Sequence, residues 1–91
     1  MQIDKSLLKV ICNISNVDDL SSFFQELFTS AEISDFSLRW KLLKDLHSGL
    51  PQRKIAEKYG ISLCKITRGS KVLKKENSSV LKILNKSEPY P

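Results

Sequence analysis

The sequence predicts an all-α fold of five to six short helices in a single domain of 91 residues. Apolar residues recur at spacings of three and four along nearly the whole chain, which is the period of an amphipathic helix. No alternating apolar and polar run is bounded by the Asn-Gly or Asp-Gly pairs that mark a hairpin, and the chain has only three glycines. Because so short a chain buries a small share of its surface, we expect oligomerisation to add to its core.

Two apolar stripes predict the first two helices. The first stripe comprises Ile3, Leu7, Val10, Ile11 and Ile14. Polar residues at positions 13, 15 and 16 interrupt the pattern, and Asp18 is placed to cap the helix that follows. The second stripe comprises Leu20, Phe23, Phe24, Leu27 and Phe28.

A third helix is predicted from about residue 30 to residue 47. Thr29 and Glu32 match a capping box, with Thr29 as the N-cap residue and Glu32 at position N3. Gly49 and Pro51 end the helix, since glycine favours the position after a helix and proline cannot continue one. The apolar side of this helix comprises Phe36, Trp40, Leu43 and Leu46.

A helix-turn-helix is predicted at residues 52–73. Two short helices that cross at about a right angle need a small residue where they touch, and Ala56 provides it. Four residues later the tight turn needs a residue that tolerates a positive φ, which is Gly60. Ser62 is placed to cap the second helix, and Ile66 returns to the core. The spacing alone also allows an ordinary helical hairpin.

One more helix is predicted after the helix-turn-helix. It covers residues 78–84, and residues 85–91 form a tail. The single domain 1–91 therefore consists of a helical body at 1–50, the helix-turn-helix, this C-terminal helix and the tail. The apolar residues of the last helix are Val80, Leu81, Ile83 and Leu84.

Positive charge is concentrated in the second half of the chain. Residues 1–40 carry three Lys or Arg and six Asp or Glu, a net charge of −3. Residues 41–91 carry twelve Lys or Arg and four Asp or Glu, a net charge of +8. The excess is densest in residues 52–75, where eight Lys or Arg accompany Glu57 alone. Because a solvated Lys-rich surface normally interleaves carboxylates with its cations, this pattern favours a polyanionic partner.

We expect the second helix of the helix-turn-helix to read DNA bases. In proteins with this motif its N-terminal turns lie in the major groove, and here they carry Leu63, Cys64, Lys65 and Thr67. Lys65 can donate to guanine O6 and N7, and Leu63 or Cys64 can contact thymine methyl groups. The surrounding cations are suited to phosphates, with an affinity that falls as salt rises.

Several classes of protein are excluded by composition. One histidine, His47, and two distant cysteines, Cys12 and Cys64, provide neither a zinc motif nor a disulfide framework. They cannot assemble a general base, a nucleophile and an orienting group, so we predict no catalytic residue, no metal ligand and no enzyme activity. No apolar run approaches the roughly 18 residues of a membrane span, and the opening residues 1–5 are polar. We therefore expect a cytoplasmic protein without a membrane partner.

The helix-turn-helix segment resembles the Trp repressor family. The resemblance is carried by Ile66-Thr67-Arg68-Gly69-Ser70, preceded by Gln52-Arg53 and followed by Leu73-Lys74. Upstream, the family is matched in order and nearly in spacing by Leu27-Phe28-Thr29 before an acidic helix start, then Arg39, then Gly49. The resemblance covers roughly residues 20–84.

This resemblance implies an intertwined homodimer in which residues 1–50 form the dimerisation body. It also implies a transcriptional repressor that binds a double-stranded DNA operator when the corepressor L-tryptophan positions two helix-turn-helix heads. The Trp repressor is itself a standard example of such half-site binding. No other cofactor is expected. The positions that match the family's tryptophan pocket are Thr29, Arg39, Arg68 and Gly69. Its DNA face is matched by Gln52, Arg53, Lys65, Thr67 and Lys74, and the DNA-contacting set also includes Leu63, Cys64 and Lys71.

The chain departs from the family pattern at three places. Val72 stands where many members carry a serine that meets the indole N–H, Lys71 replaces a frequent asparagine, and the loop at 49–52 is one residue shorter. Two alternatives to a tryptophan-dependent repressor stay open. The first is a DNA-binding regulator of the same fold that needs no ligand or senses another metabolite. The second is a basic module that binds an acidic protein or RNA.

Overall fold

The computed structural model describes residues 2–86, and every regular element in that range is an α-helix. The helices are α1 (Lys5–Asn13), α2 (Val17–Leu27), α3 (Ser30–His47), α4 (Gln52–Tyr59), α5 (Leu63–Lys74) and α6 (Ser79–Lys86). The prediction of an all-α chain with five to six helices is confirmed. Of the predicted tail at 85–91, residues 85 and 86 belong to α6, and residues 87–91 lie outside the described range.

The chain divides into two units, Met1–Asp35 and Phe36–Pro91, hereafter the N-terminal and the C-terminal unit. The N-terminal unit holds α1, α2 and the start of α3, and none of its described residues is buried. Most residues of its predicted stripes lie on helices, but Ile3 and Ile14 flank α1 and Phe28 follows α2. Ile3, Val10 and Leu27 are 63%, 45% and 49% exposed, and the other stripe residues are half-buried. The apolar faces of these helices are therefore only partly covered within this unit.

The first two helices of the N-terminal unit are capped by side chains. The carboxylate of Asp4 accepts a hydrogen bond from the Ser6 N–H at 2.7 Å at the start of α1. The side chain of Asn16 accepts one from the Asp19 N–H at 3.1 Å at the start of α2. The prediction that Asp18 caps α2 was wrong, because the extended backbone at Asn16 lets that side chain reach the third amide of the helix. Asp18 lies instead in the first turn, where its charge suits the helix dipole.

The C-terminal unit has a core to which three helices contribute. Its buried centre consists of Leu42 and Leu43 from α3, Ile55 from α4 and Ile66 from α5. Both isoleucines are 0% exposed, which confirms that Ile66 returns to the core. Leu42 was outside the predicted apolar side of α3, and it is buried where Gly69 of α5 approaches it closely.

Gly49 ends α3 as predicted. It has a φ of 94°, in the left-handed region that favours glycine. Its N–H donates to the Leu46 carbonyl and the Leu50 N–H donates to the Asp45 carbonyl, both at 3.1 Å. This pair of bonds is a Schellman motif, which satisfies carbonyl groups at the helix end.

The start and the end of α6 each have a polar contact. The connector before it passes through Asn77 at a φ of 58°, a conformation that asparagine tolerates. The hydroxyl of the buried Ser78 accepts a hydrogen bond from the Leu81 N–H at 3.1 Å. Near the other end, His47 Nε2 lies 2.8 Å from Asn85 Oδ1. Helix α6 thus continues past residue 84, the predicted end, to a residue that contacts α3.

Candidate nucleic-acid interface and ligand site

The turn between α4 and α5 has the geometry that the sequence predicted. Gly60 ends α4 in the left-handed region, with a φ of 63° and a ψ of 39°. The N–H of Ile61 donates to the Ala56 carbonyl at 3.1 Å and closes the turn. Because a residue with a Cβ is strained at this φ, glycine allows the sharp change of direction. Helices α4 and α5 therefore form a helix-turn-helix.

Both helices of this motif begin without a side-chain cap. Pro51 occupies the N-cap position of α4 and Ser62 that of α5, and neither makes a side-chain capping hydrogen bond. The prediction that Ser62 caps α5 through its hydroxyl was therefore wrong. The first N–H groups of such helices stay available to water or to an anionic oxygen.

The predicted DNA-contacting residues lie at the surface of the helix-turn-helix. Gln52 is half-buried, and its Oε1 accepts a long hydrogen bond from Thr67 Oγ1 at 3.4 Å, which brings the first residue of α4 to α5. The exposed members of the set are Arg53, Leu63, Cys64, Lys65, Thr67, Lys71 and Lys74. All eight basic side chains of residues 52–75 are exposed, so the excess of positive charge in this segment lies at the protein surface.

A shallow groove of about 370 Å³ runs along α5. Its lining consists of Leu63, Cys64, Thr67, Arg68 and Lys71. The groove thus brings four residues of the DNA-contacting set together with Arg68, which belongs to the predicted tryptophan set. Apolar atoms and basic groups lie side by side in it.

The four predicted tryptophan-binding residues have different environments. Thr29 belongs to the N-terminal unit and completes the predicted capping box, which is confirmed. Its Oγ1 accepts from the Glu32 N–H at 3.2 Å, and Glu32 Oε1 accepts from the Thr29 N–H at 2.9 Å. In the C-terminal unit, Arg39 of α3 and Arg68 of α5 are exposed, whereas Gly69 is buried.

Gly69 lies at a close approach of α5 to α3. A Cβ at this position would lie 2.6 Å from Leu42 Cδ1 and 3.4 Å from Leu46 Cδ1. The first distance is shorter than carbon atoms tolerate, so a larger residue would have to displace a buried side chain. Gly69 therefore has a packing role, and its part in ligand binding stays a prediction.

A polar cluster that the sequence analysis missed joins the end of α3 to the end of α4. Asp45 Oδ2 accepts a hydrogen bond from the Tyr59 hydroxyl at 2.6 Å and another from Lys58 Nζ at 3.1 Å. Lys58 Nζ also lies 5.1 Å from the centroid of the Tyr59 ring. One signal could have revealed the cluster. Asp45 lies in the last turn of α3, where a carboxylate opposes the helix dipole and needs a compensating donor.

These contacts shift the acid–base equilibria of the cluster. Partial burial acts to raise the pKa of Asp45, but the hydrogen bonds from Tyr59 and Lys58 outweigh it and hold the pKa below its usual value. Partial burial and donation to Asp45 raise the pKa of Tyr59. The hydrogen bond to Asp45 likewise raises the pKa of Lys58. The ionised carboxylate and its two protonated donors thus stabilise one another.

The described range 2–86 has no group of three or more His, Cys, Asp or Glu side chains that could hold a metal ion. Cys12 and Cys64 are free and exposed. In the same range, no helix combines the length and the apolar character needed to cross a membrane.

Comparison with known proteins links these features to one family. The family model described as Trp repressor protein matches residues 3–88. A Trp operon repressor homolog of Xylella fastidiosa (strain M23) is 31% identical over 77 residues, which cover 84% of each chain. A Trp operon repressor homolog of Chlamydia trachomatis serovar L2 is 41% identical over 69 residues, 70% of this chain and 73% of the relative. One of Chlamydia caviae is 35% identical over 68 residues, 74% of this chain and 67% of the relative. No solved structure matches the chain significantly.

Proposed function

The chain belongs to the Trp repressor family of transcription regulators, and we propose that it is a dimeric DNA-binding repressor with L-tryptophan as its corepressor. The observation that carries this proposal is the helix-turn-helix. Gly60 turns α4 into α5, while Ile55 and Ile66 anchor the two helices in the core. This packing leaves the basic surface of residues 52–75 open to a polyanion.

In the proposed complex, α5 lies in the major groove and reads bases with its N-terminal half. Lys65 donates to guanine, and Leu63 and Cys64 present apolar atoms to thymine methyl groups. Phosphates are contacted by Arg53, Lys71 and Lys74. The 3.4 Å contact between Gln52 and Thr67 supports this assignment, because the start of α4 therefore lies beside the reading helix.

The homodimer in this proposal is built from the body at residues 1–50. The apolar faces of α1 and α2, with Ile3 before α1, supply the surface. Ile3, Val10 and Leu27 are exposed within the N-terminal unit, and the other stripe residues are half-buried. A second copy that covers them adds the buried apolar area that a chain of 91 residues lacks. Two copies related by a two-fold axis then present two α5 helices to successive major grooves.

L-tryptophan, in this proposal, is bound by Thr29, Arg39, Arg68 and Gly69. The guanidinium planes of Arg39 and Arg68 are suited to stack on the indole faces. A guanidinium together with the Thr29 hydroxyl is suited to the carboxylate. Binding then shifts the ensemble toward the arrangement in which both reading heads fit the DNA.

Selection from a random duplex DNA library, with and without saturating L-tryptophan, tests the proposed function. We expect a two-fold symmetric sequence with half-sites about 10 base pairs apart, enriched when tryptophan is present. Lys65→Ala should weaken binding to the selected duplex by about tenfold or more, because a base contact is lost. Lys82→Ala, which removes an exposed lysine of α6, is the matched control and should change the affinity little. A library without any preferred sequence at fixed salt would favour the basic protein- or RNA-binding module instead.

A second candidate function keeps the fold and the DNA but not the tryptophan. It is favoured by Val72, which is 37% exposed on α5 and cannot accept a hydrogen bond from an indole N–H. Isothermal titration with L-tryptophan separates the two candidates. Heat of binding together with tryptophan-dependent DNA affinity supports the corepressor. No heat, with full DNA affinity in tryptophan-free buffer, supports a regulator that needs no ligand or senses another metabolite.

A further inference from the structure

We propose that Asp45, Tyr59 and Lys58 form a polar tie that orients the helix-turn-helix on α3, so that DNA affinity depends on residues that read no base. The inference rests on the proposed DNA-binding function. It assigns Asp45 and Tyr59 as positioning residues, and the tie is the pair of hydrogen bonds accepted by Asp45 Oδ2.

The apolar core and the tie restrain these helices in different ways. Leu42 and Leu43 of α3 pack with Ile55 and Ile66 of the helix-turn-helix. Close packing, as at Gly69 and Leu42, fixes how near α5 lies to α3, but apolar contacts have no directional preference of their own. Hydrogen bonds have a narrow range of length and angle, and the one from Tyr59 to the Asp45 carboxylate is short at 2.6 Å. The tie therefore adds a directional restraint at the end of α4 to the close packing of the core.

The position of the tie in the chain suits this role. Tyr59 is the last residue of α4 and directly precedes Gly60, where the chain turns toward α5. The Tyr59 ring packs against the core while its hydroxyl reaches Asp45. At the opposite end of α4, Gln52 contacts Thr67 of α5. Helix α4 is thus joined to α3 at one end and to α5 at the other, and fixing it sets where α5 begins.

The negative charge of Asp45 allows an effect of helix orientation on DNA affinity to be distinguished from an effect of electrostatic attraction. Asp45 is an anion in a unit whose helix-turn-helix is strongly basic, so its own field opposes the approach of DNA. If only charge mattered, replacing it with a neutral residue would strengthen DNA binding. If the tie orients the helices, the same replacement should weaken DNA binding, because a smaller fraction of molecules then has the orientation that fits the DNA.

Four variants of the full-length protein test the tie. Tyr59→Phe keeps the ring in the core and removes the hydroxyl, and Asp45→Ala removes the acceptor. Asp45→Asn keeps an oxygen that can accept from Tyr59, so it should restore part of the affinity. Asp35→Ala is the matched control, because it removes an exposed carboxylate from the same helix. Circular dichroism and thermal unfolding establish that each variant is folded under the assay conditions.

We measure the affinity for the selected duplex at several salt concentrations and the hydrogen exchange of α4 and α5 amides in the free protein. Tyr59→Phe and Asp45→Ala should bind about threefold more weakly and exchange faster in both helices. Their salt dependence should keep the wild-type slope, since no phosphate contact is lost, whereas loss of a phosphate-contacting lysine lowers the slope by about one. Asp35→Ala should bind as tightly as the wild type or slightly more tightly.

Three results overturn the tie. The first is an Asp45→Ala variant that binds DNA at least as tightly as the wild type. The second is unchanged hydrogen exchange in Tyr59→Phe. The third is a loss of affinity that only matches the loss of folded protein, which assigns the contacts to stability alone. A wild-type protein that binds no DNA overturns the proposed function, and hydrogen exchange in Tyr59→Phe then decides by itself whether the contacts orient α4.

Discussion

The N-terminal and the C-terminal unit both consist of amphipathic helices, but they bury their apolar residues to different extents. In residues 2–35 the stripes of α1 and α2 are clear in the sequence, yet no residue of that range is buried. In residues 36–86 a smaller set of apolar residues forms a closed centre in which Ile55 and Ile66 are inaccessible to solvent. Helical periodicity therefore identifies a face, and only packing decides whether the same chain covers it.

The helices of the helix-turn-helix begin differently from those of the N-terminal unit and from α6, whose start Ser78 caps. Asp4, Asn16 and Thr29 each accept a hydrogen bond from a backbone N–H at the start of a helix, and all three belong to the N-terminal unit. The two helices of the helix-turn-helix, in the C-terminal unit, start without such a bond. The N-terminal helices thus gain stability from local side-chain contacts, whereas α4 and α5 depend on tertiary packing.

The largest effect expected from this comparison is that of truncating the closed core. Ile66→Ala should lower the free energy of unfolding by about 2–5 kcal/mol, because it leaves a cavity in a fully buried site. Val10→Ala, on the exposed stripe of α1, should cost less than about 1 kcal/mol in dilute protein. Urea unfolding followed by circular dichroism measures both.

Repeating these unfolding experiments at high protein concentration sharpens the contrast. If a second copy covers the N-terminal stripe, the wild-type unfolding midpoint rises with concentration and the cost of Val10→Ala grows with it. The cost of Ile66→Ala should show no such growth. Equal costs for the two variants at low concentration would contradict the difference in burial.

A smaller effect is expected from removing the caps. Thr29→Ala breaks the capping box and should destabilise the protein by about 1 kcal/mol in the absence of ligand. Ser62→Ala removes a hydroxyl that makes no capping bond, so it should change stability by less than about 0.5 kcal/mol. Thermal unfolding of the two variants in parallel measures the difference. A Ser62→Ala variant as unstable as Thr29→Ala would show that the hydroxyl caps α5 in solution.

The smallest effect on stability is expected from protonation of Asp45 in the tie at low pH. The pKa of Asp45 is lowered on folding, so its contribution to stability is present above the unfolded value of 3.8 and is lost as the pH falls through the folded value. Because Lys58 is half exposed, the contribution should stay below about 1 kcal/mol. Unfolding of the wild type and of Asp45→Ala between about pH 2 and pH 7 tests this, and the two curves should converge at low pH. Curves that stay parallel throughout would show that Asp45 gains nothing from Tyr59 and Lys58.

Local rules predicted most of the helices and the turn of the candidate site. The capping box at Thr29 and the positive φ at Gly60 each depend on residues within a few positions, and both are confirmed. The burial of Ile66, predicted from its place in the helix-turn-helix spacing, is confirmed as well. The cap of α2 was assigned to Asp18 and not to Asn16, because two candidate caps lay within one turn of each other. Such a choice depends on the backbone conformation before the helix, which residue type alone does not specify.

Other features depended on contacts between distant parts of the chain. The bonds from Tyr59 and Lys58 to Asp45 span 14 and 13 positions, and the contact between His47 and Asn85 spans 38. No periodic pattern encodes such pairs. The close approach of Gly69 to Leu42 is of the same kind, since the sequence showed a glycine in a helix but not what it packs against. The roles of the predicted DNA- and tryptophan-binding residues remain proposals.

The sequence by itself determined the helical class, the helix-turn-helix and the placement of positive charge in residues 52–75. These properties depend on spacing, on turn chemistry and on composition, all of which are local and can be read along the chain. Only the tertiary structure decided that the apolar faces of α1 and α2 are only partly covered, that Gly69 is a packing residue and that Asp45 joins α3 to α4. The physical reason is that burial and directional hydrogen bonds require two surfaces in contact. The local sequence specifies each surface, but only the folded structure brings the two together.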